Sequence, residues 1–402
     1  MKKWVIYIMC ICLLFSIPAQ AATVSMEYSA TDLDVPLTAD SVTTATDAIQ
    51  LDIKAKSAIL LEPVTGQILY ESNADEQTAP ASITKIMSLL LVMEALENGT
   101  LALDTVVTAS EHACSMGGSQ IWLEPNEKMT VDELLKAAVI ASANDATVAL
   151  GEAIAGSEEG FVNLMNEKAK ALGMNNTHFI NCTGLDADGH LTSAHDVAIM
   201  SAQLIRHDLI KQYSTVWMDT LRNGESELVN TNKLVRFYEG CTGLKTGTTS
   251  SAGYCLSATA ERGGMQLVAV VMDGETSTDR FEGAKKLLNY GFANYNFTTV
   301  KADLGENPTI KVNRGITDSV GVTAKSELSI LLPKTTAANI TQTIDLPEAI
   351  DAPVNTTDTI GHIYVMNGEE RIGVIELTAA DTVDRLNISH TFVWLLKALF
   401  CL

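Results

Sequence analysis

Hydrophobic residues recur along the chain with two different periods, which predict where helices and strands lie. The segments "VDELLKAAVIASANDATVALGEAIAG" and "EGFVNLMNEKAKALGM" carry apolar residues at helical spacing and stop near Gly156 and Gly173. The segment "SAILLEPVTGQILYE" has two short apolar runs around the turn at residues 63–66, which predicts a β-hairpin. A second hairpin is predicted in "GYCLSATAERGGMQLVAVVMD", where two β-rich runs alternate around a glycine pair.

The two predicted hairpins bracket the helical segments, so we expect one sheet with helices packed on it. The composition changes after "FEGAKKLLNYGFANYNF". Residues 298 to about 386 are rich in Thr, Val and Ile, and runs such as "TIKVN", "ELSILL" and "IGHIYVM" are separated by Gly, Pro and Asn. This pattern predicts a small all-β domain.

The first 21 residues have the three-part layout of a secretory signal peptide. Two lysines precede an apolar run, and the small residues Ala19 and Ala21 predict cleavage after Ala21. The alternative is an uncleaved N-terminal membrane anchor, and in either case the remainder works outside the cytoplasm. Residues 22–52 are rich in Thr, Ala, Ser and Asp without a sustained period, which predicts a flexible leader.

The chain ends in the apolar segment "ISHTFVWLLKALFCL", which contains one lysine, Lys397. Its length of about 15 residues is below the roughly 20 that span a bilayer, so we expect an amphipathic helix that lies in the membrane interface. The alternative is a terminal helix docked on the all-β domain. The predicted organisation is a signal peptide (1–21), a leader (22–52), a main domain (53–296), an all-β domain (297–386) and a membrane-anchoring helix (387–402).

Composition and charge exclude one large class of function. The chain of 402 residues carries 27 Lys and Arg against 49 Asp and Glu, a formal net charge of −22. A nucleic-acid binder needs a cationic face to neutralise phosphates, so we expect no nucleic-acid partner.

The cysteines do not form a disulfide framework or a metal site. Cys10 and Cys12 leave with the signal peptide, and the remaining five of the 7 are scattered. Cys241 and Cys255 could face each other if their segment is a hairpin, but packed free thiols are the favoured interpretation. No Cys/His group has the spacing of zinc ligands, so we expect no cofactor.

The segment "APASITKIMSLLLVMEA", residues 79–95, places Ser82 and Lys85 on the first turn of a strongly apolar helix. A spacing of three puts both side chains on one helical face, where the amine can hydrogen-bond the hydroxyl. A serine becomes nucleophilic when a base takes its proton, and a lysine is such a base when desolvation and nearby cations lower its pKa. The exposed N–H groups of a first turn also favour a developing negative charge. Without further motifs, SxxK is more often an ordinary surface pair.

Two further triplets follow in the chain. "ASAND" contains Ser142 and Asn144, a hydroxyl and an amide among small residues that let a loop approach a ligand. "GLKTGTTSSAGYC" contains Lys245, Thr246 and Gly247 on a predicted edge-accessible strand, which can pair with an extended peptide and attract its carboxylate. SxxK, SxN and KTG in this order, separated by about 60 and 100 residues, form a specific signature.

With these triplets the sequence resembles the penicillin-recognising serine acyltransferases, specifically the low-molecular-mass penicillin-binding proteins that are D-alanyl-D-alanine carboxypeptidases. Further matching segments are "LLEPVTGQILYESNADEQTAPASITKIMSLLL", "GMNNTHFINCTGLDADGHLTSAHDVAIMS", "NTNKLV" and "DRFEGAKKLLNYGF". The resemblance implies an α+β fold. Its first part is a β-lactamase/transpeptidase-like domain, an antiparallel sheet with helices packed on it, and a small all-β domain follows. It also implies that the C-terminal helix tethers the protein to the outer face of the cytoplasmic membrane.

The resemblance further implies a role for each residue of the first two triplets. Ser82 would be the acylated nucleophile, and Lys85 would be its general base. Ser142 would relay a proton, and Asn144 would hold the substrate amide.

The remaining matched residues would bind the substrate. Lys245, Thr246 and Gly247 would form the strand that faces it. The backbone N–H groups of the nucleophile and of Thr248 would form the oxyanion hole. Arg280, in "STDRF", would help to hold the terminal carboxylate of the peptide. Some members of the family have His where Thr248 stands, so the role of its side chain stays open.

The implied reaction is a two-step acyl transfer on a peptidoglycan stem peptide that ends in D-Ala-D-Ala. The serine attacks the carbonyl between the two D-alanines, D-alanine leaves, and water hydrolyses the acyl-enzyme. β-Lactams would acylate the same serine as covalent inhibitors. A serine β-lactamase is an alternative, although the common class has an ExxLN-like sequence between SxN and KTG that this chain lacks. A catalytically weak wall-binding protein is the second alternative.

The segment "DADGH" has a partial likeness to a calcium loop through Asp186, Asp188 and His190. The full ligand series is missing, so a glycine-closed turn at the edge of the cleft is the favoured interpretation. The other histidines are scattered and form no Ser-His-Asp constellation, and a lysine base makes one unnecessary.

Overall fold

The structure is a computed structural model that describes residues 51–388, apart from 307, 337 and 338, together with Phe392. The helices of this part of the chain are α1 (Lys85–Glu97), α2 (Glu111–Cys114), α3 (Val131–Ile140), α4 (Asn144–Ala155), α5 (Glu158–Ala171), α6 (Ala194–Leu204), α7 (Asp208–Ser214), α8 (Leu234–Phe237) and α9 (Ser277–Asn294). Short 3-10 turns lie at Ala81–Thr84 and Arg222–Gly224.

The strands divide between two regions of the chain. Those before or within the helical region are β1 (Ala55–Glu62), β2 (Gln67–Ser72), β3 (Val106–Thr108), β4 (Lys128–Thr130), β5 (Met218–Leu221), β6 (Ser226–Val229), β7 (Cys241–Thr249), β8 (Gly253–Arg262) and β9 (Met265–Gly274). Those after it are β10 (Tyr295–Val300), β11 (Thr309–Asn313), β12 (Ser319–Ala324), β13 (Leu328–Pro333), β14 (Ile340–Asp345), β15 (Ala349–Asp351), β16 (Thr359–Asn367) and β17 (Glu370–Ala379).

A five-stranded antiparallel sheet lies at the centre of the first region, in the order β2-β1-β9-β8-β7. Both predicted hairpins are confirmed, because β1 pairs with β2 and β8 pairs with β9. The pairing of β1 with β9 joins the two hairpins into one sheet. Among the described strands, β7 pairs with β8 alone, so it is an edge strand as the sequence predicted.

Different helices cover the two faces of this sheet, because successive residues of a strand point to opposite faces. Ile59 of β1 packs in a cluster with Ile86 of α1 and with residues of α3 to α6. Its neighbour Leu60 packs in a second cluster with Leu287 of α9. Helices therefore lie on both sides of the antiparallel sheet, which confirms the predicted α+β class.

The helical segment around Ser142 is divided in two. Its apolar spacing continues from Val131 to Gly156, but α3 ends at Ile140 and α4 begins only at Asn144. Ser142 lies between them with φ +62, a left-handed value that an α-helix does not accept. Because of this break, the SxN triplet lies at a bend between two helices and not on the face of one continuous helix.

The chain after α9 is β-rich, as its composition predicted. Strand β10 pairs with β13, and a six-stranded sheet has the order β14-β16-β17-β12-β11-β15. Alternate residues of the central strands, among them Ile363, Val365, Ile375 and Leu377, are buried in a hydrophobic cluster of their own. The boundaries proposed from the sequence for this domain stay predictions.

The predicted signal peptide and almost all of the leader lie outside the described residues, as does the predicted terminal helix apart from residues 387, 388 and 392. Among the residues that the structure describes, no helix is both long enough and apolar enough to cross a membrane. The export signal and the membrane anchor stay predictions.

The four described cysteines are free thiols: Cys114, Cys182, Cys241 and Cys255. The β7–β8 hairpin sets Cys241 opposite Ala260 and Cys255 opposite Gly247, so the two cysteines do not face each other. The fifth, Cys401, lies outside the described residues.

Candidate active site

Ser82 lies in the 3-10 turn Ala81–Thr84, and α1 begins at Lys85, the residue that completes the SxxK motif. The sequence placed both residues on the first turn of one α-helix, whereas the structure puts Ser82 in a tighter turn that precedes it. The Lys85 amine donates hydrogen bonds to Ser82 Oγ at 3.1 Å, to Asn144 Oδ1 at 2.5 Å and to the Thr183 carbonyl at 2.7 Å. The amine is therefore directed at the hydroxyl by two further acceptors.

Burial controls the charge of this amine. Lys85 has no exposed surface, because α1 is surrounded by apolar residues. Desolvation lowers the pKa of Lys85 from 10.5 to about 7, although Cys182 and Asp145 act in the opposite direction. A substantial fraction of the amine is then neutral at pH 7 and able to accept the Ser82 proton.

The bend between α3 and α4 brings the SxN triplet to this amine. Asn144 is the first residue of α4, and its Oδ1 accepts from Lys85 while its Nδ2 donates to the Gly117 carbonyl at 2.6 Å. These two bonds fix which end of the amide faces the lysine. Ser142 is nearly buried, and within the described part of the chain it forms no hydrogen bond to Ser82 or Lys85.

The KTG triplet lies on the edge strand β7 and is buried beside Ser82. A Cβ on Gly247 would lie 3.0 Å from the Ser82 nitrogen, a tight contact, so a glycine here favours the close approach of β7 to the serine. Thr246 Oγ1 donates to Thr231 Oγ1 at 2.7 Å, which connects the strand to the "NTNKLV" segment. The triplet therefore borders Ser82 directly and forms one wall of the site.

Two further basic side chains lie at the KTG strand. Lys245 is buried and donates to the Thr246 carbonyl at 2.9 Å, and burial together with Lys85 and Arg280 lowers its pKa well below 10.5. Arg280, on α9, donates through Nη1 to the Gly247 carbonyl and to Thr248 Oγ1, both at 2.9 Å. Basic side chains gathered in a chain of net charge −22 favour an anionic ligand at this site.

Several residues that support the peptide around Ser82 were not predicted from the sequence. His190 is buried and contacts Thr84 Oγ1 through Nε2 at 2.8 Å, and Gly184 lies against the Ala81 carbonyl. Asp186 accepts from Thr249 Oγ1 at 2.7 Å and from Ser251 Oγ at 3.0 Å, which joins the "DADGH" loop to the end of β7. The one available signal was the position of "GLDADGH" within a segment that matched the family pattern.

Asp145 is a further residue that the sequence analysis missed, and it holds the loop that contains Ile121 and Leu123. Its buried carboxylate accepts from the Ile121 N–H at 3.1 Å and from the Leu123 N–H at 3.1 Å. The loop therefore has a defined backbone at the edge of the site. Adjacency to the SxN triplet was the only indication of this role in the sequence.

Taken together, the site has a serine beside a buried amine, an amide that orients the amine, an edge strand and two further buried basic side chains. This arrangement suits nucleophilic attack on the carbonyl of an extended peptide with a nearby carboxylate. A neutral lysine can accept the serine proton without a histidine.

Comparison with known proteins gives consistent matches. Residues 42–276 match the model of the D-alanyl-D-alanine carboxypeptidase family, peptidase S11, and residues 299–385 match the model of the C-terminal domain of penicillin-binding protein 5. The D-alanyl-D-alanine carboxypeptidase DacF of Bacillus subtilis is 41% identical over 84% of this chain and 87% of its own length.

Solved structures agree with the sequence matches. Penicillin-binding protein 5 from Haemophilus influenzae superposes with a TM-score of 0.74 at 31% identity, covering 84% of this chain and 99% of that one. The ampicillin-bound form of penicillin-binding protein D2 from Listeria monocytogenes has a TM-score of 0.56 at 34% identity, covering 61% of this chain and all of its own, 100%.

Proposed function

The chain belongs to the D-alanyl-D-alanine carboxypeptidase family, peptidase S11, and from this premise we propose that Ser82 is the residue it acylates and Lys85 the general base. As a member of that family it is a serine-type D-Ala-D-Ala carboxypeptidase that acts in peptidoglycan remodelling. The observation that carries the residue assignment is the 3.1 Å hydrogen bond from the buried Lys85 amine to Ser82 Oγ.

The proposed acylation begins with neutral Lys85. It takes the Ser82 proton as Oγ attacks the carbonyl carbon of the penultimate D-alanine, and the carbonyl oxygen becomes an oxyanion. The backbone N–H groups of Ser82 and Thr248 stabilise this oxyanion, and removing one such donor costs about 3 to 4 kcal/mol in related chemistry. The C–N bond then breaks, and the proton held by Lys85 passes to the leaving amine of D-alanine. For the proposed relay through Ser142, its hydroxyl must come within hydrogen-bond distance of Lys85 once the peptide is bound, because the described residues show no such bond.

Deacylation repeats these steps with water as the nucleophile. Lys85 takes a proton from the attacking water, the same N–H groups stabilise the second oxyanion, and the C–O bond to Ser82 breaks. The proton returns to Ser82 Oγ, which restores the starting state. Release therefore requires Lys85 to be neutral at both chemical steps.

We propose that the peptide binds as an added strand along β7. The open edge of β7, the buried Lys245 and the glycine at position 247 support this placement. Lys245 and Arg280 supply positive charge for the terminal carboxylate. Arg280 reaches it indirectly, because its Nη1 group is already bonded to the Gly247 carbonyl and to Thr248 Oγ1. A β-lactam has the same reactive carbonyl and carboxylate, so we propose that it acylates Ser82; a related protein has been solved with ampicillin bound.

We also propose that the protein is exported and held at the outer face of the cytoplasmic membrane. The signal-like first 21 residues and the apolar segment 388–402 support this location. Deletion of residues 388–402 should move the protein from the membrane fraction to the soluble fraction. Retention in the membrane fraction after the deletion contradicts the anchor.

One assay tests the catalytic assignment. The purified protein is incubated with a pentapeptide ending in D-Ala-D-Ala and with labelled penicillin, and the wild type is compared with Ser82→Ala and with the exposed control Ser326→Ala. We expect D-alanine release and long-lived labelling in the wild type and the control, and neither in Ser82→Ala. Rapid penicillin turnover without D-alanine release favours a β-lactamase instead, and absence of both activities in the wild type favours a wall-binding protein.

A further inference from the structure

The peptide group between Ala81 and Ser82 carries the N–H that the proposed oxyanion hole uses. This peptide is trans and planar, so its carbonyl and its N–H point in opposite directions. Any contact that fixes the Ala81 carbonyl therefore also fixes the direction of the Ser82 N–H. Within the described residues, no backbone carbonyl from outside the 3-10 turn accepts a hydrogen bond from this N–H, so it is available to a ligand.

The backbone at this peptide is strained. Ala81 has φ +47, a left-handed value that costs a residue with a Cβ about 1 to 2 kcal/mol. Such a conformation persists only where the surroundings impose it. Contacts on the Ala81 carbonyl are therefore expected to impose this conformation.

A chain of hydrogen bonds leads from a distant loop to this carbonyl. The Ile180 N–H donates to His190 Nδ1 at 2.9 Å, so a neutral ring must carry its proton on Nε2. His190 Nε2 then donates to Thr84 Oγ1 at 2.8 Å, and Thr84 Oγ1 donates to the Ala81 carbonyl at 2.9 Å. His190 and Thr84 each accept one hydrogen bond and donate the next, so every donor in the series points toward the Ala81 carbonyl.

Burial keeps this series of hydrogen bonds in one arrangement. Thr84 has no exposed surface and His190 is 3% exposed. Burial lowers the pKa of His190 to about 4; the neighbouring His178 adds to this shift and Asp186 opposes it. The ring is therefore neutral at pH 7, as the proton direction requires.

Two glycines confine the same peptide from the sides. A Cβ on Gly184 would overlap the Ala81 carbonyl, and a Cβ on Gly247 would come to 3.0 Å from the Ser82 nitrogen. The peptide is thus packed between the His190 loop and strand β7 and held at its carbonyl by Thr84.

We propose that Thr84 and His190 are positioning residues that aim the Ser82 N–H at the oxyanion by holding the Ala81 carbonyl. They act through the backbone, and neither exchanges a proton with the substrate. The inference rests on the proposed role of Ser82 and extends it to the "GLDADGH" loop. Loss of a residue of this kind lowers the rates of acylation and deacylation and leaves the binding step unchanged.

The test compares Thr84→Val, which keeps the shape of the side chain and loses its hydroxyl, with Thr84→Ser, which keeps the hydroxyl. The measured quantities are the rate constants of acylation and deacylation with labelled penicillin, kcat and KM for the pentapeptide, and Tm. We expect Thr84→Val to lower both rate constants and kcat by at least about tenfold, since losing an oxyanion donor outright costs about 100-fold or more. KM should change by less than about threefold, and Thr84→Ser should keep most of the wild-type acylation and deacylation rates.

His190 is tested by a double-mutant cycle. We expect His190→Leu to slow acylation, His190→Gln to slow it less, and Thr84→Val with His190→Leu to be no slower than Thr84→Val alone, because the two residues act in series. Ser214→Ala is the control, since Ser214 also donates a buried hydroxyl to a carbonyl, that of Thr242 at 2.6 Å, at the opposite end of β7. It should lower Tm and leave the rate constants unchanged.

Three results would overturn the proposal: variants that lower Tm alone, a Thr84→Ser variant as slow as Thr84→Val, or additive effects in the double mutant. If Thr84→Val does not fold, the comparison of His190→Leu with His190→Gln decides the question, and equal rates in those two variants overturn it. Failure of the catalytic assignment is recognised separately, because Ser82→Ala would then still be labelled by penicillin.

Discussion

The pKa of Lys85 is the property on which the proposed chemistry depends most directly. The amine is fully buried, and burial lowers its pKa from 10.5 to about 7. A shift of this size corresponds to about 5 kcal/mol between the charged and neutral forms. The apolar helix around Lys85 therefore converts a cation into a base that works at neutral pH.

The pH dependence of acylation measures this pKa. With a pKa near 7, about 3% of the amine is neutral at pH 5.5 and nearly all of it at pH 8.5. The second-order rate constant for penicillin labelling should therefore rise about 30-fold between these pH values and then level off. Labelling by stopped-flow or gel fluorescence across pH 5 to 10 gives the position of the rising limb.

Asn144→Asp changes this pKa in a known direction. Asn144 Oδ1 lies 2.5 Å from the Lys85 nitrogen, and aspartate puts a negative charge at nearly the same place. An opposite charge at such a distance raises a lysine pKa by about 1 to 3 units, so the limb should move above pH 8. Asn163→Asp, an exposed change of the same charge on α5, should leave the limb where it is.

The position of the limb is the decisive quantity, because Asn144→Asp also alters the proposed contact with the substrate amide and so lowers the maximal rate. A wild-type rate that continues to rise through pH 10 would show an ordinary lysine and refute the reasoning. A rising limb at the same pH in Asn144→Asp as in the wild type would also refute the reasoning.

Three further outcomes follow from the structure. Gly184→Ala should abolish penicillin labelling, because its Cβ would overlap the Ala81 carbonyl, whereas Gly189→Ala, also at positive φ but with open space, should be labelled normally. His190 has a pKa of about 4 in the folded protein, so the stability it contributes is complete above pH 6.5 and is lost as the pH falls toward 4. Urea unfolding should show that the wild type loses up to about 3 kcal/mol of unfolding free energy over this range relative to His190→Gln. Plots of unfolding free energy against pH that run parallel for the two proteins would contradict this. Arg280→Gln should slow hydrolysis of a peptide with a free carboxylate by about 10 to 100-fold, and that of its amidated form much less; equal losses would exclude a role in carboxylate binding.

The sequence by itself was sufficient for features that depend on local spacing. Short apolar runs on either side of turn residues predicted both hairpins, and the three-residue separation of Ser82 and Lys85 was enough to place the amine within reach of the hydroxyl. The order of the three triplets indicated the family before any geometry was known. The composition after residue 298 predicted β-structure, because strand propensity and turn residues act over short distances.

The tertiary structure decided what depends on residues far apart in the chain. The acceptors that hold the Lys85 amine, Asn144 and Thr183, lie 59 and 98 residues away, and the burial that lowers its pKa comes from helices that no sequence window contains. The helical period ran through Ser142, yet its positive φ makes the bend that brings Asn144 to the lysine. The sequence placed His190 beside a glycine-closed turn but gave no sign of its contact with Thr84, because hydrogen-bond partners far apart in the chain are set by the fold.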